Sequence, residues 1–220
     1  MSEPVLGALA TLFGMSDEQA MWRVQMHDDS HAFSRLLQRW HSPIQRLCAR
    51  MTGDPHKAED LAQETFARVY AKRKEYQPSG RFSTFLWRVA LNLCYDELRR
   101  IKRRGEAALP EEIQLDTDVG PEFRSGELAP DAALARDERA EMVSQAVLAL
   151  PDAYRSVIVL RHYENLKFRE IAEILGIPEG TVKSRMAEAL SQLSTALSRD
   201  LREKPTRLPR RESPRERLMI

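Results

Sequence analysis

Residues 168–190 read FREIAEILGIPEGTVKSRMAEAL, and their apolar side chains recur three and four positions apart on either side of a glycine. This spacing predicts the layout of a helix-turn-helix, two helices joined by a tight turn. Gly176 can adopt the left-handed conformation of such a turn, and Pro178 pre-sets the backbone for the second helix. Ile177 is expected to fill the space where the helices meet. The residues predicted to face inward are Ile171, Ala172, Leu175, Val182, Met186, Ala189 and Leu193.

The beginning of the second predicted helix carries polar side chains, which a helix-turn-helix places in the major groove of DNA. An arginine there can make a bidentate contact with guanine, whereas serine, threonine and lysine can hold phosphates. The alternative is an ordinary helical hairpin with a solvated polar face. The glycine turn, the turn isoleucine and the basic helix start occur at compatible spacing and favour DNA binding. The candidate DNA-binding residues are Thr181, Lys183, Ser184, Arg185 and Glu188.

A second distinctive segment covers residues 81–104, RFSTFLWRVALNLCYDELRRIKRR, with seven basic and two acidic side chains. Its apolar residues form two helical stripes, although a surface helix needs only one. The second stripe must therefore meet either further helices or a ligand. Asn92 among the apolar residues and the basic run at 99–104 favour unstacked nucleic acid, because bases stack on rings, amides read base edges and arginines neutralise phosphates. The stripes are Phe82, Phe85, Leu86, Val89 and Leu93, and Trp87, Leu91, Cys94, Leu98 and Ile101.

The chain as a whole predicts an all-α fold of two small helical domains. Helical periodicity runs from about Ser30 to Arg104 and resumes near Asp137, and no strand-like alternation occurs. The intervening segment is rich in Pro, Gly and acid, which predicts a flexible acidic linker. The predicted boundaries are an N-terminal extension at 1–27, a first domain at 28–104, the linker at 105–136, a second domain at 137–198 and a basic, disordered tail at 199–220.

The bulk composition limits the possible classes. With 34 basic and 33 acidic residues there is no overall attraction to nucleic acid, so partners are inferred from charged segments. Only Cys48 and Cys94 are present and both lie in apolar stripes, which predicts core thiols and excludes a disulfide framework or a four-cysteine zinc site. The apolar N-terminal run is too short to span a bilayer and is poorly shaped as a signal peptide. We expect a cytoplasmic protein without membrane insertion.

An enzyme is the rival from another class. His27 and His31 are four residues apart, as zinc ligands can be, and His41 follows. No third ligand is placed near the first two, however. We therefore predict no metal site. We also expect no cofactor and no catalytic residue.

Three segments in order carry a family resemblance: DLAQETFARVY at 60–70, FSTFLWRVALNLCYDELRR at 82–100 and EGTVKSR at 179–185. Together they resemble bacterial RNA polymerase sigma factors of the extracytoplasmic-function (ECF) type, which have two helical domains called sigma-2 and sigma-4. The resemblance covers about residues 30–104 and 138–197. It implies a protein that binds the polymerase core, recognises the −35 and −10 promoter elements and promotes DNA melting, with an anti-sigma factor as a further partner.

The resemblance also implies a role for each segment. Asp60, Gln63 and Glu64 would dock on the clamp helices of the largest polymerase subunits, and the helix-turn-helix would read the −35 element. Asn92 would contact a flipped base of the −10 element. The residues implied for −10 binding are Phe82, Ser83, Thr84, Trp87, Arg88, Asn92, Arg99, Arg100 and Arg103.

Two positions depart from the family pattern, and one alternative stays open. Phe85 stands where tryptophan is common, and Lys167 stands where a helix-capping Ser or Thr is usual, which predicts a weakly capped helix. The alternative is a helix-turn-helix transcriptional regulator whose N-terminal helices bind a signal or a partner. Such a regulator needs neither Asn92 among aromatics nor the basic run after it.

Overall fold

The computed structural model describes residues 15–77, 80–107 and 130–203 of the chain. This part is built of α-helices and contains no strand, which confirms the predicted fold class. A 3₁₀ turn at Arg73–Glu75 and a π turn at Val159–Tyr163 complete the regular structure. The helices are α1 Asp17–His27, α2 Ser30–Thr52, α3 Pro55–Ala71, α4 Phe82–Ala107, α5 Pro130–Leu148, α6 Asp152–Ile158, α7 Phe168–Leu175 and α8 Glu179–Glu203.

Side-chain caps start the N-terminal helices. Ser16 and Gln19 form a reciprocal capping box at α1, and Asp29 accepts two backbone amides at the start of α2. Asp54 does the same at α3, where Pro55 occupies the first helical position. The pair Asp54-Pro55 favours a helix start by itself, so the local sequence sets the beginning of α3.

Helix α4 is the centre of the N-terminal domain and uses both of its apolar stripes for packing. Phe82, Leu86 and Leu93 of the first stripe and Leu91 and Cys94 of the second are buried. The helix can bury two stripes because it packs against α1, α2 and α3 and also against α7 of the second domain. Most of the second stripe therefore meets helices, whereas Ile101 at its end is exposed.

The C-terminal domain contains the predicted helix-turn-helix, formed by α7 and α8. Gly176 ends α7 with φ of 66°, the left-handed conformation that the sequence predicts. The inward-facing residues of α8 are buried, and Ile177 packs against the core at the turn. In α7 the buried residues are Ile171 and Ile174, whereas Ala172 and Leu175 are only half-buried.

The start of α7 is better capped than the sequence predicts. The Lys167 side chain cannot accept a hydrogen bond from a helix amide. Its backbone amide, however, donates to Oε2 of Glu170 at 2.8 Å. This bond is the reciprocal half of a capping box, supplied by the third helical residue. This bond replaces part of the stabilisation that a Ser or Thr cap at position 167 would give.

Several helices extend beyond the predicted domain boundaries. α1 lies inside the segment predicted as an extension, and α4 continues through Gly105 to Ala107. α5 begins at Pro130, within the predicted linker, and α8 continues to Glu203, within the predicted tail. The remaining linker and tail residues, at 108–129 and 204–220, lie outside the described part of the chain.

The two domains are packed together through buried side chains of α2 and α6. The Arg155 guanidinium, only 8% exposed, donates to the backbone oxygens of Leu148 at 2.5 Å, Leu150 at 2.9 Å and Met51. It thereby joins the end of α2 to the end of α5. At Gly53, which ends α2 with φ of 77°, a Cβ atom would lie 3.1 Å from the Leu148 side chain. A larger residue there would be strained by both its conformation and this contact.

A second contact between the domains involves α2 and the π turn. The Arg50 guanidinium lies 4.2 Å above the Tyr163 ring and its Nη1 is 3.9 Å from a carboxylate oxygen of Glu164. Burial raises the pKa of Glu164 and lowers that of Arg50, and the opposite charge of each partner counters this effect. The pair is therefore a partly desolvated contact between the domains.

Candidate nucleic-acid interface

One face along α4 carries three of the nine predicted −10 residues, Arg88, Asn92 and Arg99. Arg81, Arg88, Asn92, Tyr95 and Arg99 follow each other at spacings of seven, four, three and four, so they share a helix face. Asn92 is exposed, and so are Arg88 and Arg99. An exposed amide between basic side chains can accept and donate hydrogen bonds to a base edge.

Phe82 and Trp87 do not belong to this face. They are 0% and 2% exposed, and their rings lie edge-to-face against Trp40, with centroids 6.5 and 5.7 Å away. A ring in this position would have to leave the core to stack on a base. These two residues of the predicted −10 set therefore hold α4 in the bundle, whereas Ser83 and Thr84 are half-buried in the first turn of α4.

The basic end of α4 is partly paired within its own helix. Arg99 donates to Asp96 at 2.5 Å, and Arg100 contacts Glu97 at 2.7 Å. The hydrogen bond that Arg100 donates to Glu97 raises the pKa of Arg100. Arg103 is exposed and its Nε donates to the Arg99 carbonyl at 3.4 Å. Arg99 and Arg103 are on the surface, so their contacts are weak and can be exchanged for contacts with phosphate. The Glu97 partner of Arg100, in contrast, is only 8% exposed.

Helix α7 lies across the same face of α4. Arg81 forms an ion pair with Glu170, and Arg88 donates to the backbone oxygens of Glu173 at 2.5 Å and Ile174 at 3.3 Å. These oxygens are at the C-terminal end of α7, where carbonyls lack helical partners and a cation is favoured. Arg88 is thus held by the second domain in this arrangement.

The outer face of α3 carries the three residues predicted to bind polymerase. Asp60, Gln63 and Glu64 are exposed and lie within one turn, opposite the side that buries Phe66 and Val69 in the core. Gln63 donates to Glu59 at 3.0 Å, and Arg68 donates to Glu64 at 2.8 Å. These local contacts leave a polar, solvent-facing surface.

The start of α8 forms the second polar surface. Lys183, Ser184 and Glu188 are exposed, while Thr181 and Arg185 are half-buried. Lys183 pairs with Glu179 at 2.7 Å, and the Ser184 hydroxyl donates to the Thr181 carbonyl at 3.0 Å. All five residues predicted for −35 binding therefore lie on the first three turns, outside the buried stripe of α8.

His41 and the two cysteines contact neighbouring side chains of the fold. His41 lies 3.3 Å from a Glu59 carboxylate and stacks on Phe66, and no group of three potential metal ligands occurs in the described ranges. Cys48 and Cys94 are fully buried with their Sγ atoms 3.6 Å apart, as core thiols should be. The contact with Cys48 and burial raise the pKa of the Cys94 thiol.

None of the helices described is long and apolar enough to cross a membrane.

Sequence reasoning missed the residues that orient these surfaces. Arg155 joins the domains, Arg81 contacts α7, and Glu18 and Gln25 of α1 contact the approach to α4. Each contact joins residues far apart in the chain, so no local spacing indicates it.

Two family models match the chain. The Sigma-70 region 2 model matches residues 36–104, and the Sigma-70 region 4 model matches residues 140–193. The ECF RNA polymerase sigma factor SigW of Bacillus subtilis is 38% identical over 79% of this chain and 92% of its own length. The RNA polymerase sigma-H factor of Pseudomonas aeruginosa is 33% identical over 85% of this chain and 96% of its own length.

Solved structures share the fold at low identity. CnrH in complex with the cytosolic domain of CnrY matches 84% of this chain and 98% of that chain, with a TM-score of 0.61 and 21% identity. The sigma factor RpoE of Bartonella quintana, in complex with the anti-sigma factor NepR, matches 76% of this chain and 98% of that chain, with a TM-score of 0.58 and 21% identity. With its two matched regions and its full-length relatives, the chain belongs to the ECF family of RNA polymerase sigma factors, which direct the polymerase to specific promoters.

Proposed function

We propose that this sigma factor docks on the polymerase core through α3, reads the −10 element through the Asn92 face of α4 and reads the −35 element through the start of α8. The observation that carries the −10 assignment is the exposed Asn92 amide between basic residues on a helix whose apolar stripes are both used for packing. These roles involve binding alone, so the protein is not an enzyme. It works in the cytoplasm, where polymerase and chromosome meet.

At the −10 element, the side-chain amide of Asn92 forms hydrogen bonds with the edge of a base that has left the duplex. Arg99 and Arg103 exchange their local contacts for phosphates, and Ser83 and Thr84 hold the backbone at the beginning of α4. Opening the duplex costs about 1–2 kcal/mol per base-pair step, and base-edge contacts of about 1–3 kcal/mol each offset part of that cost. Phe82 and Trp87 support the helix from within the core.

At the −35 element, the start of α8 enters the major groove. Arg185 contacts a base edge, while Lys183, Ser184 and Thr181 hold phosphates. Glu188 accepts a hydrogen bond from a cytosine amino group. Arg185 lies near Tyr95 of α4 in the packed arrangement, and burial there raises the pKa of Tyr95.

The domains have to separate for both elements to be read at once. Elements about 25 base pairs apart are about 85 Å apart along B-DNA, at about 3.4 Å per pair. In the packed arrangement α7 touches α4 directly. The 22 residues from 108 to 129 can span at most about 70–80 Å when extended, which adds to the size of the domains and makes that separation attainable.

Asp60, Gln63 and Glu64 contact the clamp helices of the largest polymerase subunits in this proposal. Their exposure, together with the buried opposite side of α3, supports a docking surface that leaves the domain core intact. An anti-sigma factor is a second expected partner, because the RpoE structure contains the anti-sigma factor NepR. A partner of this kind would control access to the same surfaces.

The test is reconstituted transcription. The full chain is added to purified bacterial core polymerase with fragments of its own genome, and transcripts are mapped at their start sites. We expect specific starts that require the chain and share −10 and −35 sequences. A helix-turn-helix regulator, the alternative, would bind DNA without giving starts from core polymerase, and that result would refute the proposal.

A further inference from the structure

Helix α1 lies outside the segment matched by the Sigma-70 region 2 model, yet it contacts the approach to α4 at several points. The Gln25 side chain amide donates to the carbonyl oxygens of Lys74 at 3.2 Å and Tyr76 at 3.0 Å. Both carbonyls belong to the connection between α3 and α4. One side chain of α1 thus ties down two backbone positions about fifty residues away.

A second side chain of α1 reaches the first turn of α4. Oε1 of Glu18 accepts the backbone amide of Phe82 at 3.2 Å. The first amides of a helix have no partner within it and form its positive end, so a carboxylate is favoured there. Helix α4 therefore receives a cap from another helix, 64 residues away in sequence.

The connection between these two points is held by further contacts. Asp28, the C-cap of α1, accepts a hydrogen bond from Nε of Arg73 at 2.6 Å, which lowers the pKa of Asp28. The Tyr76 hydroxyl donates to the Gly80 carbonyl at 2.9 Å. Burial, followed by the charges of Glu18 and Asp17, raises the pKa of Tyr76 to about 12, so its hydroxyl stays protonated and able to donate.

We propose that α1 is a brace for the −10 surface, in which Gln25 and Glu18 are positioning residues that fix the direction and start of α4. The inference rests on the proposed −10 role of α4. The braced turn begins at Phe82 and leads directly into Ser83 and Thr84, and Asn92 follows on the same rigid helix. Small errors in the position of a recognition group reduce binding strongly, because its hydrogen bonds depend on distance and angle.

The test compares variants that differ in hydrogen bonding but little in shape. Gln25→Glu replaces the donor by a carboxylate that repels the two carbonyls, and Glu18→Ala removes the acceptor. Glu18→Gln keeps an acceptor oxygen and should retain most of the function. Met26→Ala is the matched control, because Met26 is on the same helix, is 58% exposed and takes part in none of these hydrogen bonds.

The probe is a single-stranded oligonucleotide that carries the −10 sequence of a promoter selected by the wild-type holoenzyme in the transcription assay. We expect holoenzymes with Gln25→Glu or Glu18→Ala to bind the oligonucleotide about 5- to 20-fold more weakly. This loss corresponds to the net contribution of one hydrogen bond. Glu18→Gln and Met26→Ala should bind it like the wild type. Affinity for core polymerase and binding to −35 duplex should stay within about twofold for all four variants.

Each other outcome has a definite meaning. Unchanged binding of the −10 oligonucleotide by both Gln25→Glu and Glu18→Ala would refute the brace and leave the proposed function standing. Equal loss of core binding and oligonucleotide binding would show that α1 only maintains the fold, and this too would refute it. If the wild-type holoenzyme initiates at no promoter, the proposed function is wrong and the brace is wrong with it.

Discussion

The two proposed DNA-binding helices, α4 and α8, differ in how the fold surrounds them. α4 is packed by α1, α2 and α3, and its Asn92 face is crossed by α7, which holds Arg88. The first turns of α8 keep Lys183, Ser184 and Glu188 exposed, with contacts mostly inside the same helix. The exposed part of the −35 surface therefore depends mainly on a local motif, whereas the −10 surface depends on its neighbours.

The largest effect is expected from a change at Arg155, which joins the second domain to the first. Arg155→Met removes the buried guanidinium and leaves the carbonyls of Met51, Leu148 and Leu150 without this partner. We expect the free energy of unfolding to fall by about 2–4 kcal/mol, since hydrogen bonds to charged groups and unpaired buried carbonyls are both costly. Chemical denaturation followed by circular dichroism measures this loss.

Arg169→Met is the matched control for that change. Its side chain is 82% exposed and pairs with Glu173 in the next turn. We expect a change below about 0.5 kcal/mol. A loss as large as that of Arg155→Met would mean that the buried carbonyl contacts contribute nothing special.

Asn92→Ala tests the α4 side of the comparison. We expect promoter opening to fall by about 10- to 100-fold, equivalent to about 1–3 kcal/mol of lost base-edge contact. Permanganate reactivity of unpaired thymines measures opening, and competition for core polymerase measures docking, which should not change. Gln145→Ala on α5 is the control, and equal loss of opening and docking would return Asn92 to a structural role.

Arg185→Ala tests the α8 side. We expect binding to the −35 duplex to weaken by about 10-fold and to lose preference at one base pair, because one arginine contact with a base edge is removed. Gel-shift titration against a set of single-base variants measures both effects. A uniform loss across all sequences would indicate a phosphate contact instead.

Glu170→Gln is expected to have the smallest effect, and it changes the contact between α7 and Arg81 at the start of α4. The Lys167 amide first, and then Arg81, hold the pKa of Glu170 below its usual range. A carboxyl with a lowered pKa stabilises the fold above its ordinary pKa, and this contribution disappears as the pH falls through the lowered value. The variant keeps an oxygen for the Lys167 amide but loses the ion pair with Arg81.

We expect about a twofold gain in binding of −35 duplex by Glu170→Gln near neutral pH, because a surface ion pair between the domains contributes little. Small-angle scattering should show a slightly larger radius of gyration than for the wild type. Both differences should shrink at acidic pH, where Glu170 of the wild type is protonated. Differences that persist at acidic pH would rule out the ion pair as their cause.

Features set by local spacing could be predicted from the sequence. The turn at Gly176, the helix start at Asp54-Pro55 and the inward residues of α8 need only neighbours within a few positions. Ile174 was missed in α7 although it fits the same helical period. The burial of Trp87 was not predictable, because an aromatic stripe has the same spacing whether it meets a base or another helix.

The sequence by itself determined the helical class, the two matched domains, the helix-turn-helix and the identity of the polar residues on α3, α4 and α8, because periodicity and caps act over a few residues. Only the tertiary structure decided which ring is buried, that α7 crosses the Asn92 face, that Arg155 joins the domains and that α1 caps α4. Those outcomes depend on contacts between residues far apart in the chain, such as Glu18 with Phe82 and Arg155 with Met51. Their free energies depend on burial and on which partners meet, and spacing along the chain records neither.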